Sequence, residues 1–344
     1  MKVLSFSDIF AQPGAVGFLT SAIRANRLPH AMIFAGPVGV GKATCAAALA
    51  AWFLCEKPKG DRPCGVCESC RVLPAGNHPD YHVITKELIR VHDKTGKSKA
   101  TLLAADVIRG ELVAPAARTS SMGLGKFFVV EQAELMNAAA QNVLLKTLEE
   151  PAGRTLIVLI TDSPEFLLPT IRSRCQLVRF GALDEKLVRT ELEKRGIDPA
   201  TAEQAAALSD GSLGGALRLI SQQILPAATK LHEQIDAILA GRPAGDVAGW
   251  LKQAAESYAE RELERDPLSS KESATRTGIA LYLALAARRF RQRLTQTNDA
   301  DELERICQAI DATARCQMYL DGNVNIPVLL GQVAAAWAGE FAAI

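Results

Sequence analysis

Residues 28–44 read LPHAMIFAGPVGVGKAT, and this run decides the fold. The apolar stretch AMIFAG at 31–36 has the length and residue types of a buried strand. Gly36, four residues, Gly41 and Lys42 then give the spacing of a phosphate-binding loop, and KATCAAALAAWFL has the pattern of a helix. In such a loop glycines let backbone N–H groups approach phosphate oxygens while the lysine reaches the β and γ positions. Gly36, Gly39, Gly41 and Lys42 are therefore the candidate nucleotide cradle.

Working outward, four further β-rich runs appear: YHVIT at 81–85, KFFVVE at 126–131, TLIVLIT at 155–161 and QLVRF at 176–180. Helical patterns separate them. In NAAAQNVLLKTLEEP, Ala140, Leu144 and Leu148 recur at i, i+4 and i+8 before Pro151 stops the helix. Alternating strands and helices predict an α/β domain with a mostly parallel sheet covered on both faces. Beyond Phe180 the strand signal ends. DEKLVRTELEKRG begins a helical half, with Gly196 placed as its first stop and AGRPAG at 240–245 as a linker. The expected division is 1–180, 181–243 and 244–344. Lys86 to Thr101 is polar and basic and reads as a loop with short helical ends.

With 344 residues the chain exceeds one core, so two or three domains are expected. Lys plus Arg number 39 against 38 Asp plus Glu, a formal charge of +1, so no overall basic field points to nucleic acid. Neither a signal-peptide pattern nor a membrane-length apolar run occurs, and the chain reads as cytoplasmic. Arg288, Arg289, Arg291 and Arg293 concentrate charge on one helix, which suits a solvated face, subunit contact or phosphate contact. Trp52, Trp250 and Trp337 read as core or interface residues, since no aromatic and basic interleaving accompanies them.

The nucleotide site carries damage. Position 43, where a hydroxyl would hold magnesium, is Ala43, and Thr44 lies about 100° further round the helix. The strand FFVV ends in Glu131 and Gln132, where a metal-binding aspartate and a water-activating glutamate would stand. Glutamine cannot accept a proton, so a general base is missing. Whether the loop still holds ATP or ADP is open from sequence.

Cys55, Cys64, Cys67 and Cys70 are spaced C-x8-C-x2-C-x2-C after the loop helix. Four thiolates can close a tetrahedral structural zinc site with no position left for water. A disulfide pair and an iron–sulfur cluster are the other readings. His78 and His82 stand nearby, and with four cysteines sufficient they read as a turn residue and a strand start.

LPHAMIFAGPVGVGKAT at 28–44, NVLLKTLEEPAG at 142–153 and IRSRC at 171–175 together resemble the bacterial clamp-loader subunits of the gamma/tau and delta-prime group. The resemblance covers most of residues 5–220, and later only Asn323 and Asn325 in DGNVNIPVLLGQV match. It implies an AAA+ domain, a helical lid and an all-α collar, in a pentameric ring with gamma/tau and delta subunits that places a sliding clamp on primer-template DNA. It also implies that Arg174, with Ser173, points into the ATP site of an adjacent subunit, and that Thr161 is the first sensor. Arg172 has no such support, and Cys175 reads as a packed side chain. Active members carry a lid arginine where this chain has Gly214. Ala43, Gln132 and Gly214 together favour the non-hydrolysing, delta-prime type. An active gamma/tau-like ATPase is the main alternative. A stand-alone helicase or recombination ATPase would keep the acidic pair, and a zinc-bearing scaffold without a replication role is a third reading.

Overall fold

The structure is a computed structural model that describes residues 3–92, 102–265, 270–320 and 324–339. The chain divides into two compact units, residues 1–199 with 209–215, and 200–208 with 216–344. The sequence reading divides the chain in three, at 180 and 243, whereas these two units place the helix after Phe180 with the sheet.

The first unit is built on β1 (Ala31–Ala35), β2 (Tyr81–Ile84), β3 (Lys126–Val130), β4 (Thr155–Thr161) and β5 (Gln176–Arg179). All pair in parallel in the order β2-β3-β4-β1-β5. Both faces are covered, so β1, β3 and β4 are buried end to end. Alternation sorts their side chains. Met32, Phe34, Phe127, Val129 and Val158 face one core with α1 (Pro13–Arg24) and α2 (Lys42–Phe53), whereas Ile33, Phe128, Val130 and Ile157 face the other. This is the α/β arrangement expected, a parallel sheet with helices on both faces and a phosphate loop after its first strand, followed by helices.

Parallel pairing brings the carboxyl ends of β1, β3 and β4 to one edge, where ligands of open α/β sheets bind. A short helix over Glu68–Val72 (α3) and a 3-10 turn over Leu73–Ala75 precede β2. After β3, α4 (Ala138–Glu149) starts at Asn137, whose side chain accepts from the Ala140 N–H at 2.8 Å. Its Ala140, Leu144 and Leu148 are buried as the pattern predicts. The short α5 (Pro169–Arg172) leads into β5. A helix over Glu185–Lys194 ends near Gly196, which has φ +84°.

The second unit is helical, with α6 (Leu225–Leu239), α7 (Val247–Arg265), α8 (Lys271–Leu294), α9 (Ala300–Leu320) and α10 (Ile326–Trp337). The 240–245 linker falls between α6 and α7. Trp337 is buried, donates to Thr313 Oγ1 at 2.9 Å and stacks edge-on against Phe290, while Trp250 meets Tyr282 edge-on. These tryptophans are packing residues. Arg289 pairs with Asp236 and Arg293 with Glu302. The arginine run is thus partly committed inside its own unit. Asn325 caps α10 in position, and Asn323 and the later part of Lys86–Thr101 lie outside the described residues. Among the described residues no helix is long and apolar enough to cross a membrane.

Candidate functional site

Each part of the phosphate loop is held by a specific contact. The Gly36 N–H donates to Thr161 O at 3.2 Å, joining the ends of β1 and β4. A Cβ on Gly36 would lie 2.1 Å from the Phe180 carbonyl oxygen, so no side chain fits there. Gln12 is buried; its amide donates to Val40 O at 3.2 Å and to Gly181 O at 2.8 Å. Lys42 is buried, and its Nζ donates to the carbonyls of Gly36 and of Pro37, the latter at 2.7 Å. Its ammonium is engaged by the loop that would present it to phosphate. Burial pulls the Lys42 pKa down, opposed by the nearby Asp162 and Glu134 carboxylates. Ala43 and Thr44 are both exposed on the first turn of α2.

The segment Ser212–Gly215 sits directly on this loop. The Gly214 N–H donates to Gly39 O at 2.9 Å, and a Cβ on Gly214 would stand 2.9 Å from the Gly39 Cα. Gly39 has φ +76°, and its own Cβ would lie 2.4 Å from Ser212 Oγ. Two backbones therefore meet with no room for a side chain between them.

The acidic groups divide. Glu131 lies with Glu87 and Tyr81, and burial followed by Glu87 pushes its pKa up. Gln132 is exposed, with φ +51° in the left-handed region. That turn brings Glu134 beside Lys42 and Thr161, and burial raises the Glu134 pKa. Thr161 Oγ1 also accepts from the Ser163 N–H at 3.0 Å. The carboxylates nearest the lysine are thus Glu134 and Asp162, which the sequence reading did not single out. A glutamate three residues past the strand end, and an aspartate directly after Thr161, were the available signals.

Arg174 lies after α5 and is partly exposed. Its Nε donates to Glu149 Oε1 at 2.6 Å, Nη2 pairs with the same oxygen, and Nη1 donates to Thr170 O at 3.0 Å. Ser173 Oγ is 3.3 Å from Nη1 and donates to Thr170 O. Cys175 is buried and its thiol is pushed up to about 12 by burial, as suits a packed side chain. Gln141, also missed, is buried on α4. Its amide donates to Met136 O at 3.0 Å and Phe166 O at 3.2 Å, and its Oε1 accepts from the Leu168 N–H at 2.7 Å. It fixes the chain between Thr161 and Arg174. A polar residue on the apolar stripe beside Ala140 and Leu144 was its only mark.

Cys55, Cys64, Cys67 and Cys70 gather with all four sulfurs within 4.8 Å of one another. Tetrahedral coordination with bonds of about 2.3 Å asks for sulfurs about 3.8 Å apart. Two pairs, Cys55–Cys67 and Cys64–Cys70, stand at 4.0 Å. Backbone N–H groups of Cys64, Cys67 and Cys70 donate to Cys55, Cys64 and Cys67 sulfurs at 3.1, 3.4 and 3.4 Å. Such donors favour thiolate, and those from Val66 and Cys67 bring the Cys64 thiol down to about 6, whereas burial pushes the Cys55 and Cys70 thiols up. No disulfide joins them. The donor set fits a metal ion. His78 is buried outside this set, with Nε2 against Ser69 Oγ at 2.9 Å and Nδ1 accepting the Asp80 N–H at 3.1 Å. It ties the cysteine segment to the start of β2. His82 stacks on Phe128 at 4.7 Å.

Comparison with known proteins agrees with this geometry. The family model DNA polymerase III, delta subunit, matches residues 11–184. The DNA polymerase III subunit delta' of Pseudomonas aeruginosa is 37% identical over 213 residues, 61% of this chain and 61% of its own. That of Escherichia coli is 35% identical over 229 residues, 66% of this chain and 64% of its own. DNA polymerase III subunit tau of Salmonella typhimurium is 31% identical over 243 residues, 69% of this chain but 36% of its own. The chain thus aligns with under two thirds of the length of these relatives. A solved gamma subunit-related protein of Thermotoga maritima overlays with a TM-score of 0.42 at 18% identity, covering 94% of this chain and 99% of its own. With its phosphate loop, parallel sheet and match over half of its length, the chain belongs to the DNA polymerase III delta-subunit family.

Proposed function

We propose that this chain is a delta-prime type subunit of a clamp loader, helping to place a sliding clamp on primer-template DNA within a pentamer of gamma/tau and delta subunits. In this reading it occupies the cytoplasm and is organised as an AAA+ domain, a lid and a collar. Arg174 is supplied in trans to a neighbour's ATP site, where a guanidinium stabilises charge developing on the transferred phosphoryl group. The chain itself does not hydrolyse ATP. The observation that carries this second point is the Gly214 N–H donating to Gly39 O, which sets glycine backbone directly against the phosphate loop. Ala43 offers no hydroxyl to magnesium and Gln132 no base. The four cysteines would hold a structural zinc ion, which ties together a segment with little core of its own.

The test is a clamp-loading complex rebuilt with Arg174→Ala. It should assemble normally and lose DNA-stimulated hydrolysis at the one site that receives Arg174, where such an arginine supplies about 10³–10⁵ in rate, so that the complex loses that site's share of turnover. Unchanged hydrolysis sinks the trans role. A gamma/tau-like motor would instead hydrolyse ATP as the isolated chain.

A further inference from the structure

We propose that Glu149 is a positioning residue for Arg174, setting the guanidinium within its own chain so that it is presented ready-aimed to the neighbouring site. The inference rests on the trans role given above and adds the group that aims the arginine. Arg174 has five N–H donors in a rigid fork. Nε and Nη2 are drawn to Glu149 Oε1 at the last residue of α4, while Nη1 is drawn to Thr170 O and Ser173 Oγ. The fork is thus gripped from two sides by two different helices. One Nη2 hydrogen is left to an incoming oxygen, and the Nη1 contact at 3.3 Å is the weakest to release.

The pair has little to do with holding the fold. The two side chains are 36% and 47% exposed, and such pairs add little to stability. Yet α4 controls both levels of Arg174's placement, its backbone through Gln141 and Leu168, and its side chain through Glu149. Without the carboxylate, a long side chain at a partly exposed position samples many rotamers, and the neighbour's site must order it at each turnover.

The experiment is steady-state, DNA-stimulated ATP hydrolysis by the rebuilt complex. Glu149→Ala should lower kcat about threefold to fivefold, the most that an exposed pair of this kind supplies, with KM for ATP and assembly unchanged. Glu149→Gln should retain most of the rate, because the amide oxygen still accepts from Nε. In an Arg174→Ala background, Glu149→Ala should add nothing, since its action passes through the arginine. Wild-type kcat in Glu149→Ala, or a further loss in the double variant, overturns the positioning role. Full hydrolysis by Arg174→Ala alone would instead overturn the trans role, so the two failures are distinct.

Discussion

Replacing Gln141 by leucine nearly conserves volume and removes three hydrogen bonds at once. In the native chain the amide donates to Met136 O and Phe166 O, and its oxygen accepts from the Leu168 N–H. The substitution strands one N–H and two carbonyls, the Met136 bond being buried and the other two part-buried. Leaving a buried donor or acceptor unmade costs about 1–3 kcal/mol, with carbonyls toward the low end. Three such groups come to about 4 kcal/mol. The leucine recovers about 2 kcal/mol by placing apolar surface against the neighbours of Ala140 and Leu144. The net loss of about 2 kcal/mol corresponds to about 4–8 °C in Tm for a unit of about 200 residues. Calorimetry on the full chain reads this directly, and amide exchange should quicken first at Leu168. A Gln141→Leu variant melting within 1 °C of the parent would mean that the loop before Arg174 is not held by this amide.

Two further outcomes follow from the cysteine segment. Purified chain should carry a single tightly held zinc ion, with the thiols of Cys55, Cys64, Cys67 and Cys70 unreactive until a chelator is added; metal analysis and thiol titration check this, and Cys70→Ser should abolish retention. His78 is neutral in the fold because burial lowers its pKa, outweighing Asp80. Its native pKa lies below the unfolded value of about 6.5, so its contribution is complete above that pH and is lost as pH falls toward the lowered value. His82 and His232 are depressed by burial too, and all three add to one slope. Tm should therefore fall between pH 7 and pH 5.5, less steeply in His78→Gln. An equal slope in the variant would exclude His78 as a contributor.

The polar groups of the phosphate loop are partly satisfied within the chain. Lys42 turns onto its own loop's carbonyls, with Glu134 and Asp162 close enough to favour its charge. Gly214, having no side chain, lets its backbone reach Gly39.

The sequence by itself determined the five strands, the phosphate loop, the helical second half and the cysteine set. Each rests on local signals, which are alternation or continuous apolar runs for strands, glycine spacing for the loop and ligand spacing for the metal set. Gly36 and Lys42 were legible because the strand–loop–helix order is itself a short-range pattern. Tertiary structure alone decided which carboxylates stand near Lys42, since a left-handed turn at Gln132 carries Glu134 inward and leaves Glu131 with Glu87. It also decided that Gly214 meets Gly39 from 175 residues away, that Gln141 braces Leu168, and that Glu149 grips Arg174. Those contacts join residues distant in the chain, and no periodicity records them. They are set by how the sheet edge, α4 and the Ser212–Gly215 segment pack, a property of the whole chain rather than of any stretch within it.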